Sequence, residues 1–351
     1  MDCVVLFETS SQPFDLAWSE DRLAVAQIDG SLELYRRPPA PRAGGGDRAA
    51  EGSAAPPKER PEARFAVHAE SCRAVRWTRD RTRLLSASAD RSVVATDAAT
   101  GQAAFRLAKA HQAGVSRLVA LEGTGAECLV ATGDDDGAVK LWDLRQRASG
   151  AQFHPHVDFV SDICHEASSQ SLLASSGDGT LSVLDLRAGR VRQQSDSLQD
   201  ELLSVVALKG GSRAACGSQE GVLHVFDLEG DVTEPCDRVQ GHPNSVDALL
   251  AVDDDTVLSG SSDGLVRVVS VQPSRLLGVV GHHDDFPVER IALDGGRRLL
   301  ASAAHDNAVR VWDVAELFEP GEDGPEPTPG TAAAAARAGA VFAGLGEAVA
   351  E

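Results

Sequence analysis

The sequence predicts an all-β fold in which one structural unit is repeated seven times and closed into a ring. An acidic residue in a predicted turn recurs at separations of 61, 46, 42, 42, 43 and 43 residues along the 351-residue chain. A short alternating strand follows each of these turns, and helical periodicity is almost absent. Many short strands at an even spacing of about 40–45 residues are typical of closed β arrays.

Each repeat combines a tight turn with an aromatic or apolar residue six positions later. The pairs are Asp29 and Tyr35, Asp90 and Thr96, Asp136 and Trp142, Asp178 and Leu184, Glu220 and Phe226, Asp263 and Val269, and Asp306 and Trp312. Glycine follows the acid in five units and Asn307 follows it in another, so the second residue can take φ > 0 in a hairpin. Arg91 breaks this rule. The pattern predicts a hairpin in every unit.

The one long separation contains a stretch rich in Pro, Gly and Ala, from Pro38 to Pro61. Subtracting most of it restores the period, so we expect residues 38–61 to be a disordered low-complexity insertion. The predicted ring covers residues 2–317. Residues 318–351 are rich in Pro, Ala and acid and are expected to form a disordered tail, with room for a short helix near Thr331–Val341.

The composition narrows the function. With 53 acidic and 33 basic residues the formal charge is -20, which argues against direct nucleic-acid binding. No run approaches 18 apolar residues and the N-terminus lacks a positive region, so neither a membrane span nor a secretory signal is expected. Six scattered cysteines without a C-x-x-C pair suit reduced, buried thiols in the cytosol or nucleus.

The repeats resemble those of WD-repeat β-propellers. Gly241-His242 and Gly281-His282 match that family's Gly-His pair, and Trp142-Asp143 and Trp312-Asp313 match its terminal Trp-Asp. The resemblance implies a hydrogen-bonded tetrad inside a blade, and by position two tetrads look complete. They are His111, Thr132, Asp136 and Trp142, and His282, Ser302, Asp306 and Trp312. It also implies that the first strand, Cys3–Phe7, closes the last blade.

A closer resemblance is to the WD repeat-containing protein 55 family. It rests on stretches that include Ala131-Thr132-Gly133-Asp134-Asp135, Ala215-Cys216-Gly217-Ser218-Gln219-Glu220-Gly221 and Val271-Gln272-Pro273-Ser274-Arg275-Leu276-Leu277-Gly278. The resemblance implies a non-enzymatic nuclear or nucleolar scaffold for ribosomal RNA production, without a cofactor. It also implies a second role, as a substrate receptor of a cullin-RING ubiquitin ligase. We expect a monomeric propeller within a larger protein complex.

The sharpest candidate binding motif is Trp142-Asp143-Leu144-Arg145. Trp-Asp-x-Arg at a blade end is the pattern by which propellers dock onto a cullin-RING adaptor, and the planar guanidinium suits oriented contacts. Leu184-Asp185-Leu186-Arg187 is a weaker second copy. The alternative is that both are ordinary blade ends with solvated arginines.

Other chemical motifs have a structural interpretation as well. Five arginines around Trp77 suggest either a local basic patch or a solvated strand face; they are Arg73, Arg76, Arg79, Arg81 and Arg83. His154-Pro155-His156 lacks further ligands for a closed metal site, and His156 is the expected tetrad histidine of the fourth unit. The aspartate runs 134–136 and 253–255 fit turns better than cation sites. No nucleophile elbow or P-loop is present, so we expect no enzyme activity.

Overall fold

The fold was analysed in a computed structural model that describes residues 1, 3–39, 55–121, 129–146 and 148–318. It is a seven-bladed β-propeller, as predicted. Strands β1–β15 are Cys3–Glu8, Pro13–Trp18, Arg22–Gln27, Ser31–Arg36, Lys58–Glu59, Ala63–Ala66, Cys72–Trp77, Arg83–Ser88, Val93–Asp97, Ala103–Leu107, Val115–Ala120, Leu129–Asp134, Val139–Asp143, Ala148–Phe153 and Val160–Glu166. Strands β16–β29 are Ser171–Ser176, Leu181–Asp185, Arg190–Gln194, Leu202–Leu208, Arg213–Ser218, Leu223–Asp227, Asp237–Val239, Val246–Ala251, Thr256–Ser261, Leu265–Ser270, Arg275–His282, Val288–Leu293, Leu299–Ala304 and Ala308–Asp313. Two 3₁₀ turns, Lys209–Gly211 and Ala315–Leu317, complete the described elements.

Each of the first six blades is an antiparallel sheet of four strands taken in chain order. Blades 1 to 6 are β2-β3-β4-β6, β7-β8-β9-β10, β11-β12-β13-β14, β15-β16-β17-β18, β19-β20-β21-β22 and β23-β24-β25-β26. The first strands of neighbouring blades contact one another around the ring, which makes them the innermost strands. We call the end that carries the turns between second and third strands the upper face, and the opposite end the lower face.

The seventh blade closes the ring with the beginning of the chain. It has the order β27-β28-β29-β1-β5, and β1 pairs antiparallel with β29. The implied closure by the first strand is therefore confirmed, and it covers the outer edge of β29 with β1.

Part of the predicted insertion is ordered, which corrects the sequence prediction. Lys58–Glu59 adds to the outer edge of the seventh blade, parallel to β1, with Leu6 opposite Lys58 and Phe7 opposite Glu59. Lys58 Nζ also lies 2.7 Å from Glu8 Oε1. Composition did not reveal this strand because two residues of backbone pairing need no distinctive side chains. Residues 40–54 of the insertion and the predicted tail after residue 318 lie outside the described residues.

The hydrophobic core lies between neighbouring blades, and the strand patterns explain why. Second strands such as Leu299–Ala304 are buried on both faces, whereas outer strands such as Arg190–Gln194 are largely exposed. One core cluster joins Leu258 and Val266 of blade 6 to Leu300 of blade 7. Since each blade packs on the next, no blade buries its apolar residues alone.

The upper hairpin turns confirm the need for positive φ after the acidic anchor. Gly137 takes φ +80°, and a Cβ there would lie 2.5 Å from the backbone oxygen of His156. Asn307 takes φ 55° in the seventh blade. Arg91, which breaks the residue rule, still takes φ 65° at the same place. The turn geometry is thus kept even where the residue is unfavourable.

The described cysteines differ in exposure, and none forms a disulfide. Cys72 and Cys216 are buried, and burial raises the pKa of both thiols. Cys236 is exposed, contrary to the expectation that the thiols are buried. In the described ranges, no helix is long and apolar enough to cross a membrane.

Candidate interaction surfaces

The polar residues of the third blade form a closed hydrogen-bond network. His111 Nε2 lies 2.6 Å from Thr132 Oγ1, and Trp142 Nε1 donates to the same oxygen at 2.8 Å. His111 Nδ1 lies 2.8 Å from Asp134 Oδ2. His111 is only 1% exposed, so the network satisfies buried polar groups that would otherwise be costly.

The acid of this network is Asp134, so the assignment of Asp136 is wrong. The Asp134 carboxylate accepts hydrogen bonds from the backbone N–H of Asp136 at 3.1 Å and of Ala138 at 2.8 Å. The turn therefore wraps around Asp134, and Asp136 is exposed. Hydrogen bonds from His111 and the backbone outweigh desolvation and lower the pKa of Asp134.

The seventh blade has the same network, built on His283 instead of His282. His283 lies 2.7 Å from Ser302 Oγ and 3.1 Å from Asp306 Oδ2, and Trp312 donates to Ser302 at 2.8 Å. The assignment of Ser302, Asp306 and Trp312 is thus correct and that of His282 is wrong. Strand β26 continues through His282, whose side chain is 61% exposed, so the next residue enters the blade.

Other blades contain partial versions of the network. His68 contacts Ser86 and Asp90, His242 contacts Ser259, and His156 contacts Thr180, which confirms the assignment of His156 to the fourth unit. In the fifth blade Leu198, Cys216 and Phe226 stand at the corresponding positions. Burial lowers the pKa of His68, His111, His242 and His283. These histidines are accordingly structural. His68 and His242 each lie four residues before the first strand of the following sheet, as His111 does, and this spacing would have identified them from the sequence.

The two copies of the docking motif lie on the lower face, in the turns after the third strands of adjacent blades. Asp143 accepts a hydrogen bond from the backbone N–H of Arg145 at 2.9 Å, and Asp185 accepts one from that of Arg187 at 2.8 Å. Trp142 is buried, and both arginine side chains are exposed. Trp142, Asp143 and Asp185 therefore build the blade ends, and only the two arginines present a new surface.

The central channel holds a charge network that the sequence did not reveal. Asp162 Oδ1 lies 3.0 Å from the Arg290 guanidinium and 3.7 Å from Arg117 Nε. Asp15 lies 2.5 Å from Arg76 and 3.9 Å from Arg290. Burial, with repulsion from Arg290, lowers the pKa of Arg117 to about 10. The network joins five blades across the centre of the ring.

The ion pairs of the arginines near Trp77 distinguish between the two interpretations of this cluster. Arg76 binds Asp15, Arg73 binds Asp135 at 2.7 Å, and Arg81 pairs with Glu20. Trp77 donates to the backbone oxygen of Ala17 at 2.9 Å. These contacts favour the structural interpretation for Arg73, Arg76 and Arg81, whose charges are compensated within the ring.

The remaining chemical candidates are also parts of turns. Asp253 accepts hydrogen bonds from the N–H groups of Asp255 and Thr256, at 2.8 and 2.7 Å. Across the described part of the chain, no group of three or more His, Cys, Asp or Glu side chains could hold a metal ion.

Comparison with known proteins places this architecture in a family. The sequence pattern of the WDR55 family matches residues 53–317. This chain belongs to the WDR55 family. It is 38% identical over 302 residues to WD repeat-containing protein 55 of Arabidopsis thaliana, covering 86% of this chain and 79% of that protein.

Two further relatives show how much of their length is shared. WD repeat-containing protein JIP5 of Coprinopsis cinerea is 41% identical over 258 residues, which are 71% of this chain and 62% of that protein. Human WD repeat-containing protein 55 is 34% identical over 250 residues, or 71% of this chain and 64% of that protein. The chain thus spans less than two thirds of both. These relationships indicate a protein-interaction scaffold.

Proposed function

We propose that this member of the WDR55 family is a non-enzymatic scaffold for ribosomal RNA production, located in the nucleus and concentrated in the nucleolus. Family membership supports the scaffold, and the closer resemblance of the sequence supports the pathway. The polar side chains that could serve in catalysis are engaged in structural hydrogen bonds, which supports the absence of catalysis. With their Ser, Thr and Asp neighbours, His111 and His283 resemble the catalytic groups of a hydrolase. Both are buried, however, and their ring nitrogens form hydrogen bonds inside their own blades.

The test is affinity purification of the tagged full chain from native cells, with mass spectrometry of the bound proteins. Pre-ribosomal factors among them, and accumulation of ribosomal RNA precursors after depletion, are the expected results. Fluorescence of the tagged chain reports its location in the same cells. A cytoplasmic distribution with normal precursor processing would refute the proposal.

A second candidate function is that of a cullin-RING substrate receptor, and the placement of Arg145 and Arg187 favours it. Both side chains are exposed in equivalent turns of blades 3 and 4, so an adaptor can contact them together. The double substitution Arg145→Ala/Arg187→Ala should abolish adaptor capture and leave the thermal midpoint nearly unchanged. The matched control is Arg238→Ala/Arg275→Ala, which removes two exposed arginines elsewhere on the ring. Adaptor capture that survives the first change would exclude this docking surface.

A further inference from the structure

Five blades have a cation beside the acidic residues of the upper face; in four of them it comes from the same blade, and in blade 3 it is Arg73 of blade 2. The ion pairs are Arg64 with Asp29, Arg106 with Asp90, Arg73 with Asp135, Arg267 with Asp263, and Arg310 with Asp306. They occur at the upper hairpin turns of blades 1, 2, 3, 6 and 7. The negative charge of those turns is therefore compensated within the ring.

Among the described residues, blades 4 and 5 lack such an ion pair; the cation comes from the fourth strand in blades 1 and 2 and from the third strand in blades 6 and 7. The residue opposite the tetrad Ser or Thr is Arg267 in blade 6 and Arg310 in blade 7. The corresponding residue is Ser182 in blade 4 and His224 in blade 5. Neither replacement carries a fixed positive charge to its hairpin turn.

An acidic cleft lies at this point, between the hairpin turns of the two blades. It has a volume of ≈ 230 Å³, and its acidic lining residues are Asp178, Asp200, Glu201 and Glu220. Glu220 is exposed at the rim, whereas the side chains of Asp178 and Asp200 are each only 9% exposed. Within the described residues, no lysine or arginine forms an ion pair with these four carboxylates. Gly177 and Gly179 also line the cleft.

His224, next to the cleft, gives a second and independent indication that a binding group is missing there. It is 5% exposed, and neither ring nitrogen has a hydrogen-bond partner. Its Nε2 lies 3.7 Å from the Asp200 carboxylate, which lines the cleft. Burial lowers the pKa of His224, so the ring is neutral at neutral pH and leaves the charge of Asp200 uncompensated. Arg238, the residue opposite His224 on the next strand, is exposed and forms no ion pair with the cleft.

We propose that this cleft binds the cationic end of a lysine or arginine in an extended, basic segment of a partner protein. The carboxylates are not grouped closely enough to hold a metal ion. Asp178 is bound within blade 4 by Val157, Thr180 and His156, but Asp200, Glu201 and Glu220 can contact a long side chain that enters between the two turns. The external cation takes the place that Arg267 and Arg310 fill in their own blades. This inference goes beyond the proposed function, because the cleft would accept such a segment in either complex.

The binding test uses the full chain and a short fluorescein-labelled Lys/Arg-Gly peptide, followed by fluorescence anisotropy at low and physiological salt. Glu201→Gln/Glu220→Gln removes two charges from the cleft while keeping the side-chain shape. It should weaken binding roughly ten-fold, since each ion pair contributes up to about 1 kcal/mol. The control Glu229→Gln/Glu234→Gln removes the same charge from exposed sites in the loop between the third and fourth strands of blade 5 and should leave binding unchanged.

A second variant tests the compensation argument without removing a carboxylate. His224→Arg reproduces the internal cation of blades 6 and 7, so peptide binding should fall by a similar factor while the circular dichroism spectrum stays that of the wild type. Equal weakening by the cleft pair and the control pair would mean that the peptide responds only to net charge, and would overturn the proposal. Failure of the wild-type chain to bind the peptide at low salt would overturn it too. Neither result depends on which proteins the scaffold captures in cells.

Discussion

Replacing Asp134 with alanine tests the corrected tetrad directly. The Asp134 carboxylate is buried and accepts hydrogen bonds from His111 Nδ1 and from the backbone N–H of Ala138, both of which are themselves buried. Asp134→Ala leaves these two donors without a partner. At about 1–3 kcal/mol for each unsatisfied buried group, the free energy of unfolding should fall by about 2–6 kcal/mol.

The matched control is Asp136→Ala, two residues along the same turn. Asp136 is exposed, and it contributes its backbone N–H to the turn instead of its carboxylate to the network. A surface change of this kind should alter stability by less than about 0.5 kcal/mol. The repeat spacing alone would predict the opposite order, because it selects Asp136.

Urea denaturation, followed by tryptophan fluorescence, measures both variants on one scale. Trp142 lies in the affected network, so the probe reports on the third blade as well as on the ring. A loss of stability in Asp136→Ala equal to or greater than that in Asp134→Ala would refute the assignment.

Three further outcomes follow from the same structure. Acidification from pH 7 towards pH 4 should lower the thermal midpoint. Burial lowers the pKa of His242 to about 4, so on acidification such buried histidines take up protons first in the unfolded chain, near their ordinary pKa of about 6.5, which favours unfolding. A constant or rising midpoint would contradict this. Asp162→Ala should cost about 3–5 kcal/mol in urea denaturation, because Arg117 loses its carboxylate and Arg290 keeps only Asp15 at 3.9 Å, whereas the exposed Asp231→Ala should cost little, and equal losses would argue against the network. Gly137→Ala should destabilise by more than about 1 kcal/mol through backbone overlap, and Gly189→Ala, with open space around it, should cost less in the same assay; the reverse order would contradict the turn geometry.

The sequence predicted the ring because its signals are local and recur. Turn residues, alternation and spacing report on one hairpin at a time, and seven hairpins agree. The tetrad residues were harder to predict than the ring, because the repeat spacing cannot choose among Asp134, Asp135 and Asp136 or between His282 and His283. That choice depends on where a strand ends and which carboxylate the turn encloses.

The channel network could not be predicted from local patterns. Asp162 and Arg290 are 128 positions apart and meet only when blades 4 and 7 face each other across the closed ring. Ring closure also brings Lys58–Glu59 to the N-terminal strand, although its sequence resembles the low-complexity stretch around it. The fold itself does not select a partner, because one propeller architecture accommodates many.

Because Cys3–Glu8 pairs with Ala308–Asp313, the seventh blade cannot be completed until both strands have been synthesised. The ribosome makes β1 some three hundred residues before β29, so at roughly 5–20 residues per second β1 waits on the order of 15–60 s for its partner strand. During that interval its apolar residues Val5 and Phe7, fully buried in the finished ring, are available to chaperones or to a neighbouring nascent chain. The strand that completes the last blade is therefore an apolar segment open to misassembly while the protein is being made.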